Sequence, residues 1–351
     1  MKGVLARYRD YLPIGRKTPI ISLGEGDTPL VRCPELEKGI GCGELYFKLE
    51  GCNPTGSFKD RGMVVAIAKA MEAGSRAVIC ASTGNTSASA AAYAAYCQLS
   101  ATIIVPRGSI APGKLAQAII YGAKIVSLDG NFDQALQIVL ELTRRHPVTL
   151  VNSLNPYRLE GQKTAAFEII EDLGEAPDYL IIPVGNAGNI TAYWRGFSEY
   201  YKAGRAKVRP RMMGFQAEGA APIVQGHPIE HPTTVASAIR IGNPASWQWA
   251  VAARDESGGS IESVSDEQIL AAQKLMATKA GIFGEPASAA SLAGLVKLAG
   301  SGINFSGKRV VCVVTGNGLK DTETALKNAA SSMLELPADV NAVERALGFS
   351  S

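Results

Sequence analysis

The chain has 351 residues, of which 46% are hydrophobic and 19% charged, with a formal net charge of +3. That length leaves room for two domains with full cores, while so mild a charge argues against nucleic acid or an anionic membrane surface as a partner. No apolar run is long enough to span a bilayer, and the opening segment MKGVLARYRDYLPIG lacks the apolar core of a signal peptide, so a cytoplasmic protein is expected.

From about residue 57 onward, apolar β-rich runs alternate with longer helical patterns. AVICA (77–81) leads into a small-residue helix from Asn85 to about Gln98. ATIIVP (101–106), AKIVSL (123–128) and VTLVN (148–152) follow, then DYLIIPV (178–184), RMMGFQAE (211–218) and RVVCVVT (309–315). These runs are continuous rather than alternating, as parallel strands covered on both faces are. Strands alternating with helices imply right-handed βαβ units, hence an α/β fold with open, mostly parallel twisted sheets flanked by helices. The pattern divides into two interleaved domains: a larger one from 1–53 and 148–351, and a smaller one from 54–147 with Lys59 at its edge.

Six cysteines include no C-x-x-C pair, and those in AVICA and VVCVV read as buried, reduced thiols, so neither a disulfide framework nor a zinc site is expected. His227 and His231 both precede prolines in GHPIEHP and read as loop residues. No metal is expected.

Ligands in open α/β sheets bind at the carboxyl ends of the strands, and four segments there carry unusual residues. In Asn53-Pro54-Thr55-Gly56-Ser57-Phe58-Lys59-Asp60-Arg61-Gly62, Ser57 and Asp60 resemble a capping box, which puts Lys59 in a helix's first turn. The positive end of the helix dipole should depress a lysine's pKa there, as a Schiff-base nucleophile requires. Taken alone, the segment reads more readily as a solvated surface lysine beside an N-cap. Ser82-Thr83-Gly84-Asn85-Thr86-Ser87 follows AVICA and opens a helix, a hydroxyl-rich turn suited to a carboxylate. Gly185-Asn186-Ala187-Gly188-Asn189 lies between a strand and a helix, the arrangement that cradles a phosphate. It matches neither G-x-G-x-x-G nor a P-loop, which leaves a single phosphate monoester and weakens any nicotinamide reading. Thr315-Gly316-Asn317-Gly318 offers a neutral hydroxyl at a strand tip, with glycines that let a ring approach. Together they describe a cofactor with an aldehyde, a phosphate and a ring nitrogen.

At this point the chain resembles the fold-type-II pyridoxal-phosphate enzymes, from Gly24-Glu25-Gly26-Asp27-Thr28-Pro29-Leu30 to about Asp321. NPTGSFKDRG, STGNTSAS and EPASAA (285–290) are similar to family signatures in family order. The resemblance implies pyridoxal 5'-phosphate as cofactor, Lys59 as its Schiff-base lysine, and Asn85 as partner of the 3'-oxygen. It further implies Gly185 to Asn189 as the phosphate cradle and Thr315 facing the pyridine nitrogen. GNAGN and TGNGLKD look most like the branch acting on O-phospho-L-homoserine. There Ser82, Thr83, Asn85 and Thr86 would hold the substrate carboxylate, and Asn152, Ser153, Arg158 and Asn186 its phosphate. A loop near Ser109 to Lys114 would also meet substrate, and a homodimer is implied. The rival within the fold is a threonine or serine dehydratase. From other classes, a nicotinamide-dependent reductase and a non-catalytic ligand-binding protein remain.

Overall fold

The computed structural model of the protein describes residues 3–107, 112–130, 132–329 and 334–349, so residues 109–111 of the expected substrate loop lie outside it. The described strands form two sheets. In the larger, β1 (Leu30–Arg32) runs antiparallel to β2 (Glu44–Leu49). Beyond β2 come β10 (Arg309–Val314), β7 (Tyr179–Pro183), β8 (Arg211–Ala217) and β9 (Ser260–Val264), all parallel. The smaller sheet has the order β5 (Lys124–Leu128), β4 (Ser100–Pro106), β3 (Ala77–Ala81), β6 (Val148–Leu150), again all parallel. Because Ala77 pairs with Val148, the smaller sheet extends beyond residue 147, where the sequence pattern divided the chain.

The central strands bury both faces, which is why their sequences are apolar without alternation. Leu180, Ile182, Val311 and Val313 share one core with Phe167, Ile190 and Tyr193. Successive residues point oppositely, so Ile181, Val310, Cys312 and Val314 join a second core with Ala289 and Leu292 of the Pro286–Gly300 helix. Strands β2 and β9 escape the apolar-run criterion because they carry charges. Lys48 in β2 is fully buried, its Nζ 2.9 Å from Glu168 Oε2 and 2.7 Å from Thr28 O.

Arg61 ties the parts together. Its fully buried guanidinium donates to Glu50 (2.6 and 2.8 Å) and to both oxygens of Glu168 (2.6 Å each). Glu168 also accepts from Asp27 N and Thr28 N, which anchors the GEGDTPL segment beneath the helix Lys59–Glu72. Burial alone pushes the Glu168 carboxyl up, but Arg61 and Lys48 beside it hold it well below the usual carboxylate range. The Lys59–Glu72 helix crosses the helix Pro156–Gln162 at paired glycines. A Cβ on Gly161 would lie 1.8 Å from Arg61 O, and one on Gly62 would lie 2.5 Å from Arg158 O. Only residues without a side chain permit that approach.

Candidate active site

The four loops singled out in the sequence stand at strand ends, and hydrogen bonds tie each to its neighbours. The Lys59 loop is stapled to the loop after β10: Phe58 N donates to Thr315 O (3.0 Å), Asn317 N donates to Gly56 O (2.9 Å), and Ser57 bridges Gly316. The loop after β7 reaches the β6 side through Asn186, whose Nδ2 donates to Ser153 Oγ. Its Oδ1 accepts from Ala245 N at 2.6 Å.

Lys59 opens its helix, as its sequence position suggested, but the capping differs from the expected box. Asp60 turns its carboxylate to Thr55 N (2.7 Å), Thr55 Oγ1 (2.6 Å) and Ser89 Oγ (2.6 Å), and Ser57 Oγ accepts only a 3.4 Å contact from Lys59 N. Three donors outcompete one, and Asp60 thereby pins the lysine loop to the Asn85–Tyr96 helix. Lys59 Nζ lies 4.1 Å from the Phe58 ring centroid and makes no hydrogen bond or ion pair among the described residues. Burial is the foremost cause holding its pKa down to about 7, with the Arg158 cation second and Glu285 opposing. Burial and the Arg158 cation thus act on the lysine beside the helix position invoked from sequence.

Arg158 is 1% exposed. Nη1 donates to Val151 O at 2.8 Å, Nε has no partner, and no carboxylate pairs with it among the described residues. Burial lowers its pKa to about 10. A buried guanidinium without a counter-ion is costly, and the side chain matches an anion that the chain itself does not supply. Asn152 is occupied instead: Oδ1 accepts from Ala81 N (2.9 Å) and Nδ2 donates to Ala81 O (2.8 Å), so its amide fixes the start of the Ser82 loop. Ser82 Oγ accepts from Gly84 N at 3.2 Å, while Thr83 and Thr86 make no side-chain hydrogen bond among the described residues.

In the loop after β7, Ala187 adopts φ 65° and caps the helix Gly188–Lys202. That left-handed residue ahead of a helix turns successive N–H groups to one side, as anion nests do. A Cβ on Gly185 would lie 2.9 Å from Ile239 Cα, so the loop packs closely. Asn189 is buried, and neither its Oδ1 nor its Nδ2 has a partner among the described residues. At the other end of the site, Thr315 Oγ1 lies 3.1 Å from Ser288 Oγ, which also donates to Gly316 O and accepts from Gly316 N (2.8 Å). Both hydroxyls are neutral. An orphaned amide at a helix start, a neutral hydroxyl pair, and a lysine freed of its proton near neutrality fit the phosphate, ring nitrogen and aldehyde of pyridoxal phosphate.

Sequence reasoning left several residues of this site without a role. Asn85 Nδ2 donates to Glu285 (3.0 and 3.2 Å), Ser288 holds the Thr315 loop, and Lys320 Nζ donates to Gln117 Oε1. The EPASAA motif was the available signal for Glu285 and Ser288, but nothing local announces contacts this remote in sequence.

Comparison with known proteins agrees with this chemistry. Residues 21–316 match the family described as pyridoxal-phosphate dependent enzyme. A threonine synthase of Synechocystis is 56% identical over 99% of this chain and 91% of its own length. That of a Bacillus species is 58% identical over 98% and 96%. One from Methanocaldococcus jannaschii is 51% identical over 97% and 86%. Among solved structures, maize serine racemase superposes with a TM-score of 0.75 at 23% identity, covering 92% of this chain and 94% of that one. Threonine deaminase isoform 2 of Solanum lycopersicum gives 0.72 at 22%, covering 86% and 83%. At such identities these two establish the fold alone. The family match over most of the chain and the relatives above half identity make the chain a member of the pyridoxal-phosphate-dependent enzyme family.

Proposed function

We propose that this chain catalyses the threonine synthase reaction, in which O-phospho-L-homoserine and water become L-threonine and phosphate by γ-elimination and β-addition. The observation that carries the reading is Arg158, a buried cation with an unpartnered Nε and no carboxylate beside it among the described residues. A dehydratase substrate carries one anionic group, whereas this substrate carries a carboxylate and a phosphate, and Arg158 suits the second. The relatives above half identity support the same choice.

Bound pyridoxal phosphate supplies an aldehyde for the substrate amine and a conjugated ring that takes up negative charge from Cα. In this reading Gly185, Asn186, Ala187, Gly188 and Asn189 hold its phosphate, Asn85 meets its 3'-oxygen and Thr315 faces its ring nitrogen. Ser82, Thr83, Asn85 and Thr86 orient the substrate carboxylate, and Arg158, Ser153 and Asn186 receive the substrate phosphate. Asn152 serves that group by fixing Ala81 and the loop that follows. Lys59 is the Schiff-base lysine and, once free, the base that moves protons at Cα and then Cβ. A pKa of about 7 suits both halves of that shuttle near neutral pH. A neutral Thr315 leaves the ring nitrogen without a carboxylate partner, which disfavours transamination.

The same reading takes the protein as a cytoplasmic homodimer whose smaller unit begins near residue 54. The deciding experiment is product analysis with O-phospho-L-homoserine, L-threonine and L-serine supplied separately to the holoenzyme. Equimolar phosphate and L-threonine from the first are expected. A 2-oxo acid from L-threonine or L-serine, with O-phospho-L-homoserine untouched, refutes the assignment in favour of a dehydratase.

A further inference from the structure

Glu285 occupies the N-cap position of the Pro286–Gly300 helix, yet its side chain does not cap that helix. It is 5% exposed, and its carboxylate accepts from a single group among the described residues, Asn85 Nδ2, at 3.0 and 3.2 Å. The charged groups facing it are Lys320, Lys59 and Asp321, none within ion-pair distance, and the Lys320 ammonium is engaged by Gln117. Room for the carboxylate is reserved, since a Cβ on Gly316 would lie 2.5 Å from Oε1. A buried carboxylate with one donor is expensive, and neither helix capping nor ion pairing explains it.

The pairing does have a consequence for Asn85. A carboxamide presents an oxygen and an NH2 group of nearly equal shape, and a neutral partner accepts either orientation. Burial pushes the Glu285 carboxyl up, while the Asn85 hydrogen bond and the Lys320 and Lys59 cations favour its charged form; once ionised it only accepts, and so admits the Nδ2 side alone. Asn85 is thereby fixed in rotamer and in sense, with its amide hydrogens committed to the interior of the site.

We propose that Glu285 is a positioning residue that locks the Asn85 amide as a hydrogen-bond donor toward the ring oxygen of the cofactor. This rests on the reading of Asn85 as a cofactor contact, and the test separates the two. Holoenzymes carrying Glu285→Gln, Asn85→Ala and both replacements are compared by their near-ultraviolet and visible cofactor bands and by equilibrium dialysis of pyridoxal phosphate. Glu285→Gln preserves shape and is expected to leave the melting temperature close to that of the parent. It should alter the balance of the bands and weaken cofactor binding about tenfold, the size of one hydrogen bond to a charged group. In the Asn85→Ala background the same replacement should change neither quantity. Glu285→Asp keeps the charge but withdraws it from Nδ2, and the altered band balance should appear there too. A parental spectrum in Glu285→Gln while Asn85→Ala changes it overturns the positioning role and leaves the reading of Asn85 intact. An undiminished effect of Glu285→Gln in the Asn85→Ala background overturns it equally, because Glu285 would then act directly. If Asn85→Ala itself leaves the bands unchanged, the reading of Asn85 fails and the inference falls with it.

Discussion

Replacing Lys59 by methionine in the cofactor-free protein removes a cation from a desolvated site while keeping most of the side-chain volume. Lys59 is held down from 10.5 to about 7, first by burial and then by Arg158. At about 1.4 kcal/mol per pH unit, protonating it in the folded state costs roughly 5 kcal/mol. Between pH 7 and 10.5 the unfolded chain binds a proton that the native state does not, so parental stability rises with pH across that window. Below pH 7 the penalty is fully present, and above 10.5 it is gone. Lys59→Met should therefore stabilise the cofactor-free protein by roughly 5 kcal/mol below neutrality, the gain shrinking by about 1.4 kcal/mol per pH unit toward zero. Urea unfolding of both proteins, followed by circular dichroism across that pH range, measures the difference. A gap between the two proteins that stays constant with pH would refute the reasoning, because it would mean that Lys59 carries its proton equally in both states.

Other perturbations test the remaining parts. Arg158→Gln should lower kcat/KM for O-phospho-L-homoserine by about 10- to 100-fold, the range of one charge-assisted hydrogen bond, with little change in cofactor binding measured by dialysis. Arg61→Met strands the buried carboxylates of Glu50 and Glu168 and should cost about 3–5 kcal/mol in urea unfolding. Glu168→Gln should blunt acid unfolding: its depressed pKa contributes stability above the ordinary carboxylate pKa that is lost as pH falls through the lower folded value. Gly161→Ala forces a methyl to within 1.8 Å of Arg61 O and should yield little folded protein, whereas the exposed Gly39→Ala, with nothing near its Cβ, should not.

Much of the scaffold was legible because its strands are simple. AVICA is β3 residue for residue, and the runs assigned to β7, β8 and β10 exceed the observed strands by one or two residues. What escaped was whatever depends on contacts distant in sequence. Lys48 interrupts the apolar pattern of β2 and is tolerated only because Glu168 lies against it. Arg158 reads as a surface charge from its helix alone, and it is buried because Gly62 lets the neighbouring helix close over it. Glu285 meets Asn85 across 200 residues, a separation at which no local periodicity operates. Asp60 was placed in a local capping motif, but Ser89, 29 residues away, competes for it.

The glycine crossing of the two helices has a mechanical consequence. Lys59 leads one helix and Arg158 sits on the other, and at Gly62 and Gly161 the two backbones touch without intervening side chains. A joint with no cushioning layer transmits displacement without slack. Lys59 and the buried Arg158 cation therefore travel as one chassis, their spacing insensitive to rotamer changes around them. The Ser82–Ser87 loop hangs from a different mount, the Asn152 clamp on Ala81. Any drift of the smaller sheet against the larger moves the Ser82–Ser87 loop before it alters the distance between Lys59 and Arg158.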